Sequence, residues 1–280
     1  MPRAVFFLIT SALTALALAA CGGASREESG LSWSGAPLPV AARLSAPTAD
    51  SLRAHGWEAL VRHKPRRMLR VAAGEWGDTL WLLEFKDDLS AYAAFQQLSP
   101  DDEAIASGEA VCGERVCFRR GRWIGSLDGW SWKGGDWFAA RLTLPGPEPE
   151  GNLPAIFGSL LHQDRIPGSE RVLSGEFMGL AVSDPVYAMK ADCRGDTAWV
   201  YAAPRVPPGF AESLSRQPGW GVDTLRGLWK GLEVHSELTE LPPVILRFSG
   251  KGMVGVEGCF DEELTSYWLK MQARGLKNLK

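Results

Sequence analysis

The chain of 280 residues lacks the short patterns that announce common chemistry. It has no Cys-x-x-Cys, no Gly-x-Ser-x-Gly and no phosphate-cradling Gly-x-x-x-x-Gly-Lys, and its Gly-x-Gly-x-x-Gly string, Gly250 to Gly255, falls where a hairpin is expected and not at the strand-to-helix turn of a dinucleotide fingerprint. That removes the sequence grounds for a zinc or haem site, a hydrolase elbow or a nucleotide cofactor. Histidine is scarce: His55, His63, His162 and His235 are scattered without metal spacing. Each is expected as a surface or satisfied residue, and no metal or cofactor is expected. An excess of positive charge is missing too, with 30 Lys and Arg against 33 Asp and Glu. The net charge is −3, and the longest basic stretch is Arg62 to Arg67, which reads as a solvated lead-in to a strand. A nucleic-acid partner therefore has no electrostatic footprint here.

Long apolar runs are missing as well, apart from Val5 to Ala20, which follows Arg3 and is broken only by Thr10, Ser11 and Thr14. A run this short is not a comfortable membrane span, and it ends in small residues as a cleaved secretory signal does. Leu18-Ala19-Ala20-Cys21 resembles the lipobox of bacterial lipoproteins, and Gly22-Gly23-Ala24-Ser25 follows as a flexible tether. The resemblance implies cleavage before Cys21, acylation of its thiol and amine, and a stable multi-chain anchor. Gly rather than Asp at position 22 implies sorting to the periplasmic face of the outer membrane.

Four cysteines remain beyond Cys21, and an even number in an oxidising compartment reads as two disulfides. Cys112 and Cys117 are close enough in sequence for a local bridge across a turn, which leaves Cys193 to pair with Cys259. The longer bridge closes the larger loop and stabilises more.

The strongest organisational signal is internal. Gly77-Asp78-Thr79-Leu80-Trp81-Leu82-Leu83 recurs as Gly195-Asp196-Thr197-Ala198-Trp199-Val200-Tyr201, a polar turn opening a buried strand. Downstream, Phe118 to Gly125 aligns without a gap to Phe248 to Gly255, each reading as two strands joined by a glycine-bearing turn. Between these landmarks, Asp87 and Asp88 open a helix over Leu89 to Leu98, and Pro207 and Pro208 precede one over Phe210 to Arg216. A last helix follows Asp261-Glu262-Glu263, with Leu264, Tyr267, Trp268 and Met271 as its apolar stripe. The expected fold is α+β, antiparallel-rich: two tandem pseudo-repeats of strand-strand-helix-strand-strand with a C-terminal helix. Expected boundaries are signal 1–20, tether 21–36, first repeat 37–145, linker and helix 146–165, and second repeat 166–280.

Ile166-Pro167-Gly168-Ser169-Glu170-Arg171-Val172-Leu173-Ser174-Gly175 resembles the central motif of an uncharacterised family of bacterial secreted proteins and lipoproteins, a domain of unknown function. The resemblance spans roughly Leu38 to the C-terminus. It implies a helix after an aliphatic and aromatic strand, then an apolar hairpin with a Gly turn, on each side of the motif. Pro47 to His55 departs from the Asn-Gly-Ala-Ala-like stretch the family carries before Gly56, and no activity transfers with the likeness.

Candidate chemistry is thin. Asp78 and Asp196 occupy equivalent places, but Gly-Asp-Thr before a strand is ordinary turn chemistry. Pro167 and Gly168 demand a turn around Ser169 and Glu170. Arg194-Gly195-Asp196 spells an adhesion tripeptide whose Arg is absent from the other copy, so chance accounts for it. Twelve tryptophans are the least expected feature. Trp81 and Trp199 read as core, whereas Trp123, Trp130, Trp132 and Trp137 read as a possible stacking platform for a glycan or an envelope protein. The sequence thus leads to a lipid-anchored envelope protein, most simply a non-catalytic binding or scaffold module. The alternative is a hydrolase acting on an envelope polymer through Asp78, Ser169 or Glu170.

Overall fold

A computed structural model describes residues 31–33, 36–37, 40–72, 79–98, 102–112, 115–128, 142–145, 153–160, 163–225, 231–236, 243–250 and 252–278. In chain order the first stretch gives β1 (Ser32–Trp33), β2 (Ala36–Pro37), β3 (Val40–Ser45), α1 (Ala49–Ala54), a 3-10 turn (Glu58–His63), β4 (Arg67–Ala72) and β5 (Thr79–Glu84). Then come α2 (Asp88–Phe95), α3 (Asp102–Ser107), β6 (Glu109–Cys112), β7 (Arg115–Arg120), β8 (Trp123–Asp128) and β9 (Leu142–Thr143). After α4 (Ala155–Gly158) follow β10 (Arg171–Phe177), β11 (Leu180–Cys193), β12 (Asp196–Ala203), α5 (Phe210–Ser215), β13 (Trp220–Leu225), β14 (Gly231–Ser236), β15 (Val244–Ser249), β16 (Gly252–Glu257) and α6 (Glu262–Asn278).

The protein is mixed α+β with two large antiparallel sheets and a C-terminal helix. The first sheet runs β3-β4-β5-β8-β7-β6 and the second β10-β11-β12-β16-β15-β14-β13, while β2-β1-β9 form a third, small sheet. Each large sheet is therefore a three-stranded meander, a helical connection, and a second meander that returns to lie beside the third strand. Among the described residues there are three strands before the helix in each half and three or four after it. That is more than the two-helix-two pattern the sequence suggests.

Local chemistry explains the ends of these elements. Asp87 caps α2, its Oδ1 accepting from the Ser90 N–H at 2.8 Å, and Asp261 does the same for Leu264 at the start of α6 at 2.9 Å. The β11–β12 hairpin turns through Arg194 and Gly195, both at positive φ (54° and 96°), the backbone that matches strand twist in a two-residue loop. Gly125 is required for a different reason. It sits opposite Phe118, and a Cβ there would lie 2.1 Å from the Phe118 ring.

Both large sheets are covered on both faces. Leu83, Phe85, Cys117 and Ile124 of the first sheet pack with Leu52, Trp57 and Leu60 and with Ala91, Ala94 and Phe95 of α2. Its other face, with Leu80, Leu82, Phe118 and Leu127, meets Leu31 and Leu142 beside the small sheet. In the second sheet, Val186, Ala203, Leu246 and Met253 lie under Phe210 and Leu214 of α5. The reverse face, with Met189, Val200, Val254 and Val256, lies under Trp268 and Leu269 of α6 and Phe157 of α4. Tyr92 and Ala93 of α2 join that same cluster. The stretch of α2 from Ala91 to Phe95 is thus buried all round because it fills the layer between the two sheets.

The seam between the halves is hydrogen-bonded as well as packed. The Gln96 amide, just past α2, donates from Nε2 to the Glu170 carbonyl at 2.9 Å and accepts at Oε1 from the Val172 N–H at 3.0 Å, so one side chain stands in for a neighbouring strand at the β10 edge. The Tyr92 hydroxyl donates to the same carbonyl at 3.1 Å. Gln96→Leu keeps the volume and strands the buried Val172 N–H. Urea unfolding is expected to show a loss of about 1–3 kcal/mol, the cost of an unsatisfied buried donor.

The disulfide framework is half of the expected one. Cys193 and Cys259 are bridged, with Cα atoms 5.9 Å apart. Cys117 is instead a buried thiol in no disulfide, which corrects the expected Cys112–Cys117 bridge. The hairpin register explains the difference: Cys112 stands opposite Arg115, and Cys117 opposite Ala110. The two cysteines are diagonal neighbours, a separation of about 7–8 Å in such a pair, beyond the reach of an unstrained bridge.

Candidate functional site

The motif Ile166 to Gly175 builds a strap along the edge of β11. The Ile166 N–H donates to the Lys190 carbonyl at 3.0 Å, the Asp192 N–H donates to the Asp164 carbonyl at 2.8 Å, and the Trp268 indole donates to Asp164 Oδ2 at 3.1 Å. Ser169 is fully buried. Its hydroxyl donates to the Ile166 carbonyl at 2.5 Å and accepts from the Lys190 N–H at 2.9 Å. Glu170, 2 % exposed, pairs with Arg165 at 3.1 Å, and Arg171 donates to the Gly168 and Glu170 carbonyls. A serine with its proton committed to a backbone carbonyl, and no imidazole beside it among the described residues, is a turn-locking residue rather than an activated nucleophile. The turn expected from Pro167 and Gly168 is what the motif makes.

Trp123 is a core anchor and not part of a platform. It is 2 % exposed, its indole donates to the Pro145 carbonyl at 3.2 Å, and the Arg67 guanidinium lies 5.4 Å from its ring centroid. The glycines that suggested an exposed loop lie further along, near Trp130, Trp132 and Trp137, and those three residues fall outside the described set. Trp81 and Trp199, expected in the core, are only half-buried. Each faces a cation across its hairpin, Arg70 opposite Trp81 and Lys190 opposite Trp199, with the charge 5.9 and 5.4 Å from the ring.

The remaining candidates sort by contact. His55 stacks on Trp81 with ring centroids 4.3 Å apart. Burial, then the neighbouring Arg62, pulls the pKa of His63 down to about 4, so this imidazole stays neutral across ordinary pH. Arg67 leads into β4 and pairs with Glu84, which also holds Arg122 at 3.0 Å. Arg194 of the adhesion-like tripeptide is paired with Asp261 at 2.6 Å, and Asp196 is exposed at the start of β12. Cys21, Asp78 and His162 lie outside the described residues, as does the side chain of Cys112.

A buried polar chain crosses the seam. Arg119, whose side chain is 1 % exposed, reaches Asp88 at the start of α2 at 2.5 Å and lies 5.1 Å from the Tyr92 ring centroid. Burial lowers the pKa of Arg119, partly offset by Asp88. Burial and then Glu170 raise that of the Tyr92 hydroxyl. The Tyr187 hydroxyl is pushed up to about 12 by burial, then by Asp87 and Asp184. The two tyrosine shifts keep those hydroxyls protonated at neutral pH, whereas burial works against the charge on Arg119 and the Asp88 carboxylate supports it, as in a structural network.

One group with metal-ligand chemistry was not foreseen. Asp223, Glu233 and His235 meet on the β13–β14 hairpin, their ligand atoms all within 4.8 Å of one another. Sequence spacing hides it because the three are brought together by strand register across a loop. The only trace is Glu233-x-His235 at the spacing that shares a strand face.

No family model, curated protein or solved structure matches the chain. Among the described residues no helix is long and apolar enough to cross a membrane.

Proposed function

We propose that this is a lipid-anchored protein of the cell envelope, held by acyl chains on Cys21 at the periplasmic face of the outer membrane. Its folded part is two pseudo-equivalent halves acting as a non-catalytic binding or scaffold module. The observation that carries the second part is the commitment of the candidate catalytic groups: Ser169 is locked between two backbone groups and Glu170 is paired with Arg165. The hydrolase alternative loses both residues as reacting groups.

Support for pseudo-equivalence comes from the sheets. Both use the same strand order, with one extra strand in the second. Trp81 and Trp199 each pack on the side of the sheet covered by the half's own helix, α2 or α5. The turns refine the alignment: Gly121 and Gly250 occupy equivalent hairpin positions, which places Phe118 with Arg247 and shifts the gap-free pairing by one residue. The tryptophan-rich segment holding Trp130, Trp132 and Trp137 supplies the contact area for an envelope protein or glycan.

Two measurements on cells test this reading. Cys21→Ser is expected to move the protein from the membrane pellet to the soluble fraction. A photo-reactive residue at Trp130 or Trp132 is expected to capture one reproducible protein or glycan adduct. Unchanged fractionation would remove the anchor, and no adduct from either position would remove the tryptophan surface.

A further inference from the structure

We propose that Asp223, Glu233 and His235 form a site for one divalent first-row transition ion of the zinc class. The inference goes beyond the anchoring and binding role and does not depend on it. Antiparallel register makes the site: Asp223 of β13 lies directly opposite Glu233 of β14, and His235 is two residues further along the same strand. All three side chains therefore project from one face of the hairpin. It is the face that α6 covers further along the sheet, because Ile245, opposite His235, packs into the cluster under α6.

The distances suit an ion better than direct contact. His235 Nδ1 and Asp223 Oδ2 are 3.8 Å apart, too long for a hydrogen bond. Ligands on a tetrahedral zinc ion with bonds of about 2.0–2.2 Å sit about 3.3–3.6 Å from one another. The three ligand atoms lie within 4.8 Å, so a small rotation of Asp223, whose side chain is 70 % exposed, closes the set.

The second observation is electrostatic. Two carboxylates directly opposite one another on an antiparallel pair repel and destabilise the hairpin. Arg247, opposite Glu233 on β15, binds Glu233 Oε2 at 2.6 Å and offsets one of the two charges. Asp223, at the sheet edge, has the His235 imidazole 3.8 Å away. A dication between the two carboxylates removes the repulsion, and Arg247 then orients the Glu233 ligand from behind, as an outer-shell partner does. The donor set fixes the class: one imidazole with two carboxylates favours zinc, cobalt or nickel over calcium and magnesium, which prefer shells of oxygen alone.

The test uses the full chain as purified from its host in detergent micelles, titrated calorimetrically with Zn2+ alone, with circular dichroism as a check on folding. One equivalent is expected to bind, His235→Gln and Asp223→Asn are each expected to weaken binding at least about tenfold, and millimolar Ca2+ or Mg2+ is expected not to compete. Zn2+ is also expected to raise the Tm of the parent protein and not that of folded variants. The proposal is overturned by absence of one-equivalent binding up to millimolar Zn2+, by affinity unchanged in both variants, or by Ca2+ displacing Zn2+ at comparable concentration.

Discussion

Replacing both Cys193 and Cys259 by Ala is expected to lower the unfolding free energy by about 4 kcal/mol, the loop-closure entropy of a bridge spanning 66 positions. The bridge ties the last residue of β11 to the residue two before the capping Asp261 of α6. The loop it closes holds β12, α5 and all four remaining strands of the second sheet. Arg194 and Asp261, paired beside it, keep the hairpin tip and helix start together without the sulfurs. The native fold is thus expected to persist in the variant, with most of the effect in the unfolded chain. Urea unfolding checks this: the midpoint falls and the slope rises, because the chain freed of its cross-link unfolds to a more exposed state. A loss under about 1 kcal/mol would mean that the unfolded chain gains little freedom when the bridge is gone.

The second large effect is expected from Asp88→Ala. Arg119 stays buried when its carboxylate is removed, and its Nε and Nη2 already have no hydrogen-bond partner in the structure. Stripping one partner from a buried pair costs about 3–5 kcal/mol, because an uncompensated charge remains behind. The double variant Asp88→Ala with Arg119→Met is expected to recover most of that loss, since a long apolar side chain carries no charge to bury. Chemical denaturation of both variants decides the matter. If the double variant is as unstable as the single one, the guanidinium's packing on Tyr92 holds the seam and its charge does not.

What the sequence revealed was the part of the fold written in short-range chemistry. Asp87 and Asp261 were readable as helix caps because a cap needs only its own next turn. Glycines at Gly121, Gly195 and Gly250 were readable as hairpin turns for the same reason. The extra strands were not: β3, β13 and β14 carry Arg43, Asp223 and Glu233 among their residues, so they lack the apolar run by which a buried strand is recognised. The Cys112–Cys117 bridge failed because sequence proximity says nothing about register, and in a hairpin register decides which side chains meet. Matching Phe118 to Phe248 aligned letters, whereas the turns at Gly121 and Gly250 align the strands. Asp223, Glu233 and His235 were invisible on the same ground, since only the pairing of two strands across a loop brings them together.

α2 has a consequence for how the protein comes apart. Ala91, Ala94 and Phe95 belong to one core, Tyr92 and Ala93 to the other, and from Ala91 to Phe95 every residue of the helix is buried. Neither half can loosen without exposing apolar surface that the other half needs covered. The two sheets are therefore expected to melt in a single event, leaving a protease no intermediate in which one half stands folded while the other has opened.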